Sequence, residues 1–571
     1  MSKDKIHQTA RLYALQNAVQ FNGKAHPKAV IGKVIAVCKK ENISPKEIIP
    51  VVHKLVKEIN SLSLEEQRRL LAKEAPELLH KEKQERDFSL PELEFAEPGK
   101  VITRFPPEPN GFLHIGHAKA AFIDYEYAKK YDGTFILRFD DTNPENAQSM
   151  FYDAQKEDLQ WLGISWDKEY CTSSNLPTHY KLAEQLIEQG DAYLCRCAAD
   201  DIKHGRYHGK ACSCRDKSKG SMIDTWDEFI NGGEEGGILR LKGDMQSVNT
   251  AMRDPTLFRV IDAEHPLEGT KYRVWPTYDF AGAVEDSISG VTHPFRTKEY
   301  ELRDAVYFHL LSLLKLRKPH LMEFARLSIK GMPVSKRKIK PLIDQGIVSG
   351  YDDPRLPTLR GLQRRGIVPE AIKQFVIEQG LSKVESTVDF SVLEAVNRKH
   401  LDPQVKRFFF VPDPHKLEVT KAPKTTVDLP FHPTEKLGTR KVQTESTFYI
   451  PGDEATQFKK GDIFRLKELY NVTVLLTGKS LKVQYAGKDI LPNTKKLQWV
   501  TDNSIPFSIL KPGLLFKGDT VDKESMQTIT GRAEQAIQTV SPGEIIQFER
   551  VGFTRIETTD ANQQQGIFAH K

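Results

Sequence analysis

The sequence has no long hydrophobic segment. No apolar run approaches the roughly 18 residues of a membrane-spanning helix, and the opening MSKDKIHQTARL lacks the apolar core of a signal peptide. Cysteine is scarce, with 6 among 571 residues, which excludes a disulfide scaffold. No internal repeat or low-complexity run is evident. These absences predict a protein of the reducing cytoplasm without a membrane partner.

Neither sign of charge dominates the composition. Lysine and arginine number 83 against 77 acidic residues, for a formal net charge of +6. Such a mildly basic balance is compatible with a polyanionic partner but does not by itself predict one. The length predicts about three to five domains.

A strand–loop–helix–strand unit begins near residue 101. Residues 101–105 form an apolar run that predicts a strand, and PPEPNG (106–111) excludes helix and strand through its prolines and glycine. Residues 115–131 have a helical period, with Gly133 as the predicted end. A second strand is predicted at 135–139. This is the βαβ pattern of a nucleotide-binding sheet.

Two histidines stand at the predicted junction between loop and helix. His114 and His117 are three residues apart and can share one side of the first turn. The free N–H groups and positive dipole end of that turn suit an anion, and Gly116 would let a phosphate chain approach the backbone. We interpret the pair as donors that stabilise charge developing on phosphate oxygens. Two surface histidines beside a loop are the alternative.

The segment PPEPNGFLHIGHAKAA (106–121) resembles the HIGH signature of class I aminoacyl-tRNA synthetases, in the form of the glutamyl/glutaminyl branch. The resemblance extends over essentially the whole chain. It implies a Rossmann core that activates an amino acid with ATP and Mg²⁺ and transfers it to tRNA. It also implies that Glu108, in the proline-rich loop, contacts the adenylate or the terminal ribose.

Four of the six cysteines lie within 20 residues, in two C-x-C pairs: Cys195, Cys197, Cys212 and Cys214. Thiolates in two close pairs suit a tetrahedral structural Zn²⁺, and four protein ligands leave no open catalytic position. His204 or His208 could replace one thiolate, and free buried cysteines are the other alternative. The resemblance places such a zinc module in an acceptor-stem domain inserted into the Rossmann fold.

Two polar residues are candidates for the amino-acid pocket. Asp140 begins the acidic pair of RFDDTNP (138–144) at the carboxyl end of the second strand, where such sheets bind ligands. The resemblance assigns it to the α-amino group of the amino acid, and a turn aspartate is the alternative. Tyr278, in WPTYDF (275–280), matches a pocket motif of the family, with a core tyrosine as the alternative.

Arg296 is predicted to decide which amino acid is bound. It follows GVTH (290–293), where glutamyl enzymes of the resembled family have an arginine and glutaminyl enzymes a small or neutral residue. A planar guanidinium matches the γ-carboxylate with two donors, and glutamine would leave it without a counter-charge. Arg104, at the end of the first strand, is the second predicted arginine. Either arginine could instead form a structural ion pair.

Residues 312–340 are strongly basic and end in MPVSKRK (332–338). This tail resembles the MSKRK form of the KMSKS loop, although Val334 stands where methionine is commoner. Lys336 is retained and is predicted, with Ser335 beside it, to hold the ATP phosphates as a flexible point charge. A solvated basic face is the alternative.

The residue pattern of the chain changes near residue 401. Before that point GLQRRG (361–366) resembles a family element, so Arg364 and Arg365 are predicted to contact tRNA phosphates. After it, short β-branched and aromatic runs alternate with turn residues, which predicts an all-β region. The resemblance implies anticodon-binding β-barrels. Because bacterial glutamyl enzymes use helices there, it favours the archaeal/eukaryotic glutamyl branch.

The first 80 residues have the pattern of a helical bundle. Capping boxes begin at Ser44 and Ser63. An apolar stripe lies between them: Ile48, Ile49, Val52, Leu55 and Val56. Packing on the rest of the chain is the simplest interpretation. An accessory tRNA-binding or partner-docking role is the alternative that the resemblance implies.

The predicted fold is an α/β Rossmann catalytic core with an inserted α+β acceptor-stem domain, an N-terminal helical domain and C-terminal all-β barrels. The predicted divisions are 1–95 for the helical domain and linker, 96–194 for the first Rossmann half, 195–289 for the insertion with its zinc module, 290–340 for the second half with the KMSKS-like loop, 341–400 for a helical stem-contact region and 401–571 for the barrels.

The resemblance therefore implies an ATP-dependent ligase that joins L-glutamate to tRNA-Glu through glutamyl-adenylate. A monomer is expected. Charging of tRNA-Gln is left open. A glutaminyl-tRNA synthetase is the alternative activity, opposed by Arg296 and the cysteine module. A catalytically silent RNA-binding paralogue is a further alternative, opposed by the retention of His114, His117 and Lys336.

Overall fold

The computed structural model describes residues 2–21, 23–38, 45–75, 78, 90–217, 219–231, 236–559 and 564–571. The chain divides into two compact units, Met1–Ser89 and Leu90–Lys571. Among the described residues, no helix has both the length and the apolar character needed to cross a membrane.

The first unit is helical, as predicted. Its helices are α1 (Ser2–Gln20), α2 (Pro27–Cys38), α3 (Pro45–Ile59) and α4 (Leu64–Glu74). Helix α4 begins with the predicted capping box, in which Ser63 and Glu66 satisfy each other's backbone N–H groups. The predicted stripe on α3 is buried except at Ile49, which is 40% exposed. The other predicted cap, Ser44, lies outside the described residues.

The predicted βαβ unit opens the second unit. Its elements and those that follow are β1 (Ile102–Phe105), α5 (Ile115–Lys130), β2 (Thr134–Phe139), α6 (Ser149–Trp161), β3 (Lys168–Cys171) and α7 (Leu176–Gln189). The three strands form a parallel sheet in the order β1-β2-β3. The carboxyl ends of β1 and β2 therefore lie side by side, where the proline-rich loop and Asp140 follow them.

Gly133 lies just after the end of α5, as predicted. Its N–H donates to the Ala128 carbonyl at 2.8 Å, but its φ is not positive. A Cβ at this position would lie 2.1 Å from the Val101 carbonyl oxygen. Glycine is required here because the backbone of Val101, just before β1, passes too close for any side chain.

A separate sheet interrupts the parallel core. The elements of this segment are β4 (Ala192–Cys195), α8 (Ala199–His208), α9 (Lys219–Ile230), β5 (Ile238–Leu241), β6 (Thr256–Val260) and β7 (Val274–Pro276). The strands are antiparallel in the order β4-β5-β6-β7. Trp226 of α9 and Phe258 of β6 are buried in the core of this segment.

The chain then returns to the parallel core. The next elements are α10 (Tyr278–Ile288), β8 (Phe295–Thr297), α11 (Asp304–Leu313), β9 (Met322–Phe324), β10 (Leu327–Ile329), α12 (Lys336–Asp344), α13 (Leu359–Arg365), α14 (Pro369–Glu378), β11 (Ser386–Val388) and α15 (Phe390–Leu401). The N–H groups of Thr292 and His293 donate to the Ile102 carbonyl at 2.9 and 3.2 Å, so the segment before β8 runs beside β1. Phe122, Leu362 and Phe375, from α5, α13 and α14, share one core.

The remainder is β-structure, as predicted. Its elements are β12 (Arg407–Phe408), β13 (Phe410–Pro412), β14 (Pro414–Thr420), β15 (Thr425–Pro430), β16 (Thr439–Thr444), β17 (Thr447–Pro451), α16 (Gly452–Ala455), β18 (Ile463–Leu466), β19 (Asn471–Leu476), β20 (Leu481–Tyr485), β21 (Lys495–Leu497), β22 (Val500–Thr501), β23 (Ile505–Pro512), β24 (Phe516–Lys517), β25 (Thr520–Val521), β26 (Met526–Ala533), β27 (Ile545–Phe548), β28 (Gly552–Thr559) and β29 (Gln564–His570).

Fourteen of these strands build two seven-stranded sheets, while β15 pairs with β16 and β24 pairs with β25 in two separate two-stranded sheets. One seven-stranded sheet has the order β12-β27-β28-β29-β23-β26-β13 and the other β21-β18-β19-β20-β14-β17-β22. Each of these two larger sheets has its own aromatic-rich core, around Phe410 and Phe548 in the first and around Phe448 and Trp499 in the second. The C-terminal region is therefore two barrel-like β-domains.

Candidate active site

The two predicted histidines lie together at the start of α5. His114 is the N-cap residue, and its Nδ1 accepts from the N–H of Gly116 at 3.0 Å. The backbone N–H of His114 donates to Nδ1 of His117 at 3.2 Å, and the rings stack with centroids 3.8 Å apart. A backbone bond of 2.9 Å from Ile115 N–H to the Pro357 carbonyl anchors this turn. These contacts fix the orientation of each imidazole ring.

Their environment makes both imidazoles neutral. Burial, with the charge of Arg326, lowers the pKa of His117 to about 4. Burial, with His117 and Arg326, also lowers the pKa of His114 well below its ordinary value. Because each Nδ1 accepts a backbone hydrogen bond, the single proton of each neutral ring is on Nε2. The site therefore offers two neutral N–H donors rather than two cations.

Gly116 leaves room for the ring of His114. A Cβ at this position would lie 2.8 Å from Cε1 of His114. The sequence suggested that glycine admits a phosphate to the backbone, whereas the structure places the His114 ring in that space. A side chain at 116 would displace the ring from the helix terminus.

Arg104 forms a buried ion pair. Its Nε lies 2.8 Å from Oδ1 of Asp286, its Nη2 lies 3.2 Å from Oδ2, and its Nη1 donates to the Phe295 carbonyl at 2.8 Å. Arg138, on β2, also contacts Oδ1 of Asp286, through Nη1 at 2.8 Å. Neither Asp286 nor Arg138 was a candidate from sequence. The sequence did contain a signal for Arg138, which is a charged residue inside the apolar run FILRF (135–139). A charge buried in such a run needs a partner of opposite charge.

Asp140 lies at the carboxyl end of β2, as predicted. Its Oδ1 accepts from Nε of Arg138 and from the Thr172 hydroxyl, both at 2.9 Å. Its side chain is 18% exposed, whereas that of Arg138 is 1% exposed. The carboxylate is thus fixed by Arg138 and Thr172 and remains partly exposed, and the N–H of Asp140 donates to the Pro107 carbonyl of the proline-rich loop at 3.0 Å.

Arg296 and Tyr278 lie close together. Arg296 is buried, forms an ion pair with Asp304, and its guanidinium carbon lies 5.4 Å from the centroid of the Tyr307 ring. The Tyr278 ring is 4.6 Å from that of Tyr300. Burial raises the pKa of Tyr278 to about 12 against the opposing charges of Arg296 and Arg104. The tyrosine is therefore a neutral hydroxyl near both arginines.

The KMSKS-like segment leads into α12. Ser335 is its N-cap residue, without a side-chain capping bond, and the helix begins at Lys336. The Lys336 side chain lies outside the described part of the structure. The carbonyl of Gly331, immediately before this segment, accepts from the N–H of Phe516 at 3.2 Å.

The two arginines of GLQRRG differ in accessibility. Arg365 is buried, pairs with Glu394 at 2.7 Å and donates to the Ala569 carbonyl. The prediction that it contacts tRNA phosphates is therefore wrong, because the guanidinium is buried between α13, α15 and the C-terminal strand β29, with Glu394 as its counter-charge. Arg364 is partly exposed and pairs with Asp352 and Glu557.

The four predicted cysteines converge. Their sulfur atoms all lie within 4.8 Å of one another: Cys195, Cys197, Cys212 and Cys214. Nη1 of Arg240 lies 3.9 and 3.8 Å from the sulfurs of Cys195 and Cys212, a contact that suits thiolates. The rings of His204 and His208 face each other on α8, and neither belongs to this group. The donor set fits a tetrahedral Zn²⁺.

Comparison with known proteins decides the family. The family described as "tRNA synthetases class I (E and Q), catalytic domain" matches residues 100–403. Its anti-codon binding domains match residues 405–485 and 496–557. The chain belongs to this family. The predicted resemblance to the glutamyl/glutaminyl synthetases is thereby confirmed.

Several curated relatives of this synthetase are archaeal. "Glutamate--tRNA ligase" of Nitrosopumilus maritimus is 43% identical over 571 residues, covering 100% of both chains. The protein of the same name from Pyrococcus furiosus is 39% identical over 585 residues, covering 99% of this chain and 100% of the relative. The synthetase is thus similar over its full length to these archaeal proteins, including its N-terminal helical unit.

Proposed function

We propose that the chain joins L-glutamate to tRNA-Glu at the expense of ATP. The α-carboxylate of glutamate attacks the α-phosphorus of ATP, and pyrophosphate leaves. The terminal ribose hydroxyl of tRNA then attacks the carbonyl of glutamyl-adenylate, and AMP leaves. The observation that carries the proposal is the full-length identity of 43% to an archaeal protein named glutamate–tRNA ligase.

The phosphate-binding side of the site consists of residues around α5 and α12. We assign the ATP phosphates to His114, His117 and Lys336, with Gly116 and Ser335 supporting them and Mg²⁺ bound with the nucleotide. The two imidazoles donate from Nε2 to oxygens that gain charge in the transition state. The role of the protein is mostly positioning and charge stabilisation.

The amino-acid side of the site consists of Arg104, Asp140, Tyr278 and Arg296, and Glu108 contacts the adenylate or the ribose. Asp140 accepts from the ammonium group of glutamate, and its fixed, partly exposed carboxylate supports this role. Arg296 receives the γ-carboxylate. In the structure Asp304 balances its charge, which keeps a buried guanidinium in place before glutamate enters.

The domains have distinct proposed roles. Residues 195–289 bind the acceptor stem as an insertion stabilised by a structural Zn²⁺ on the four cysteines. Residues 401–571 bind the anticodon, and 341–400 contact the stem between them. The helical domain at 1–95 assists tRNA binding or docks a partner, and the enzyme acts as a monomer.

Aminoacylation by the purified protein tests the proposed function. Labelled glutamate and labelled glutamine are supplied in parallel to transcripts of tRNA-Glu and tRNA-Gln. We expect glutamate to be transferred to tRNA-Glu, and transfer to tRNA-Gln would add a second substrate. Transfer of glutamine would make the protein a glutaminyl enzyme and overturn the role of Arg296.

The zinc proposal predicts a stability effect. Replacing Cys212 with serine should abolish the roughly one Zn²⁺ per chain and lower the midpoint of thermal unfolding by about 5 °C or more, because metal binding contributes folding free energy. Elemental analysis and calorimetry measure the two quantities.

Cys171→Ser is the matched control, since this cysteine ends β3 and is not in the cluster. It should retain the metal and the unfolding midpoint. Wild-type protein that contains no zinc and unfolds at the same temperature with and without a chelator would contradict the proposal.

A further inference from the structure

One buried carboxylate, that of Asp286, lies at the centre of the amino-acid side of the site. It is on α10 and is 1% exposed. Three side chains from three other elements converge on it. Arg104 of β1 pairs with both of its oxygens at 2.8 and 3.2 Å, Nη1 of Arg138 of β2 lies 2.8 Å from Oδ1, and the Tyr307 hydroxyl of α11 donates to Oδ2 at 3.1 Å.

The same contacts extend to the other residues proposed to hold glutamate. Arg138 uses Nε for Asp140, at 2.9 Å, while its Nη1 binds Asp286. The ring of Tyr307 lies 5.4 Å from the guanidinium carbon of Arg296. Asp286 therefore touches Arg104 directly and reaches Asp140 and Arg296 through one intermediate residue each.

The charges explain why this carboxylate is needed. Arg104 and Arg138 bring two guanidinium groups into the protein interior, and two unpaired buried cations would be strongly destabilising. Burial alone would raise the pKa of Asp286, but the charges of the two arginines outweigh it and hold the pKa below its ordinary value. An ionised carboxylate that pairs with Arg104 through both oxygens also fixes the plane of that guanidinium.

We propose that Asp286 is a positioning residue for glutamate. It sets the orientation of Arg104 and, through Arg138, that of Asp140, so that the groups receiving the two ends of the amino acid are held at a fixed separation. Asp286 does not touch the substrate. The inference rests on the proposed function, because it concerns the pocket that binds the amino acid.

The neighbouring residue provides a matched control. Glu285 is on the same helix and fully buried, but its carboxylate faces His179 at 2.7 Å and Asn175 at 3.1 Å. In the described part of the structure this carboxylate has no hydrogen bond or ion pair with Arg104, Asp140, Tyr278 or Arg296, and none with Arg138. Neutralising Glu285 should therefore disturb the packing of α10 to a similar extent without moving the pocket.

The test compares Asp286→Asn with Glu285→Gln in aminoacylation of tRNA-Glu. For Asp286→Asn we expect KM for glutamate to rise roughly 10- to 100-fold, as for a misplaced binding group, while KM for ATP stays within about twofold. For Glu285→Gln both constants should stay within about twofold at a comparable loss of thermal stability. Equal rises in both KM values, or the same selective rise in Glu285→Gln, would overturn the inference.

A milder variant covers the case in which Asp286→Asn does not fold. Tyr307→Phe removes one hydrogen bond to Asp286 and keeps the ring beside Arg296, so KM for glutamate should rise a fewfold with KM for ATP unchanged. No change in either constant would overturn the proposal. If the wild-type protein charges glutamine instead, the proposed function fails, and a selective rise in KM for that amino acid would still support the role of Asp286.

Discussion

Replacing Arg296 with methionine is expected to lower kcat/KM for glutamate by on the order of 10⁴-fold, because the γ-carboxylate would be buried without its cationic partner. KM for ATP should stay unchanged, since the ATP phosphates are assigned to the other side of the site. Steady-state aminoacylation of tRNA-Glu measures both constants, and glutamine should become a relatively better substrate in the variant.

Asp304→Asn distinguishes this role from a structural one. It removes the charged partner of Arg296 but keeps the guanidinium, so it should lower kcat/KM for glutamate far less than Arg296→Met does. If Arg296 only stabilises the fold by pairing with Asp304, the two variants should behave alike. They would then lose thermal stability together and show no selective effect on glutamate.

Replacing His117 with alanine is expected to lower kcat by about 10²- to 10³-fold, the typical effect of removing one donor from a group that stabilises developing charge. KM for glutamate should change little. His114→Ala should have a similar effect, and the double variant should lose little more than either single one. The two rings are stacked and share backbone contacts, and residues that act as a unit are not additive.

His400→Ala is the control for this prediction. His400 contacts Gln374 at 2.8 Å and takes no part in the proposed site, so its replacement should leave kcat unchanged. The prediction would fail if His117→Ala altered KM for glutamate while kcat remained at the wild-type value. Because the pKa of His117 is held near 4, the activity it supports should not titrate around neutral pH.

Several parts of the fold follow from local patterns alone. The βαβ unit was predictable because three prolines and a glycine interrupt two apolar runs, and the helix between them has a clear period. The cysteine cluster was predictable because its two pairs are close in sequence. The all-β character beyond residue 401 was predictable because strand and turn residues alternate over short distances.

The contacts of the site itself were not predictable in this way. Arg104 was identified as a substrate residue or a structural ion-pair residue, but its partner Asp286 is 182 residues away. The assignment of Arg365 to tRNA failed for the same reason, since Glu394 and the Ala569 carbonyl reach it from other elements. Which charged side chains form ion pairs inside a protein depends on how its helices and strands pack. The spacing of residues in the sequence does not determine that packing.

The sequence by itself determined the residue types of the site, its place at the carboxyl ends of two parallel strands, and the family, because these reside in contiguous motifs. Only the tertiary structure decided that both histidines are neutral Nε2 donors, since desolvation requires the surrounding packing. It also decided that one buried carboxylate joins β1, β2 and α11 through α10. Hydrogen bonds and ion pairs act over a few ångströms in space, whereas the residues that form them are separated by most of a domain along the chain.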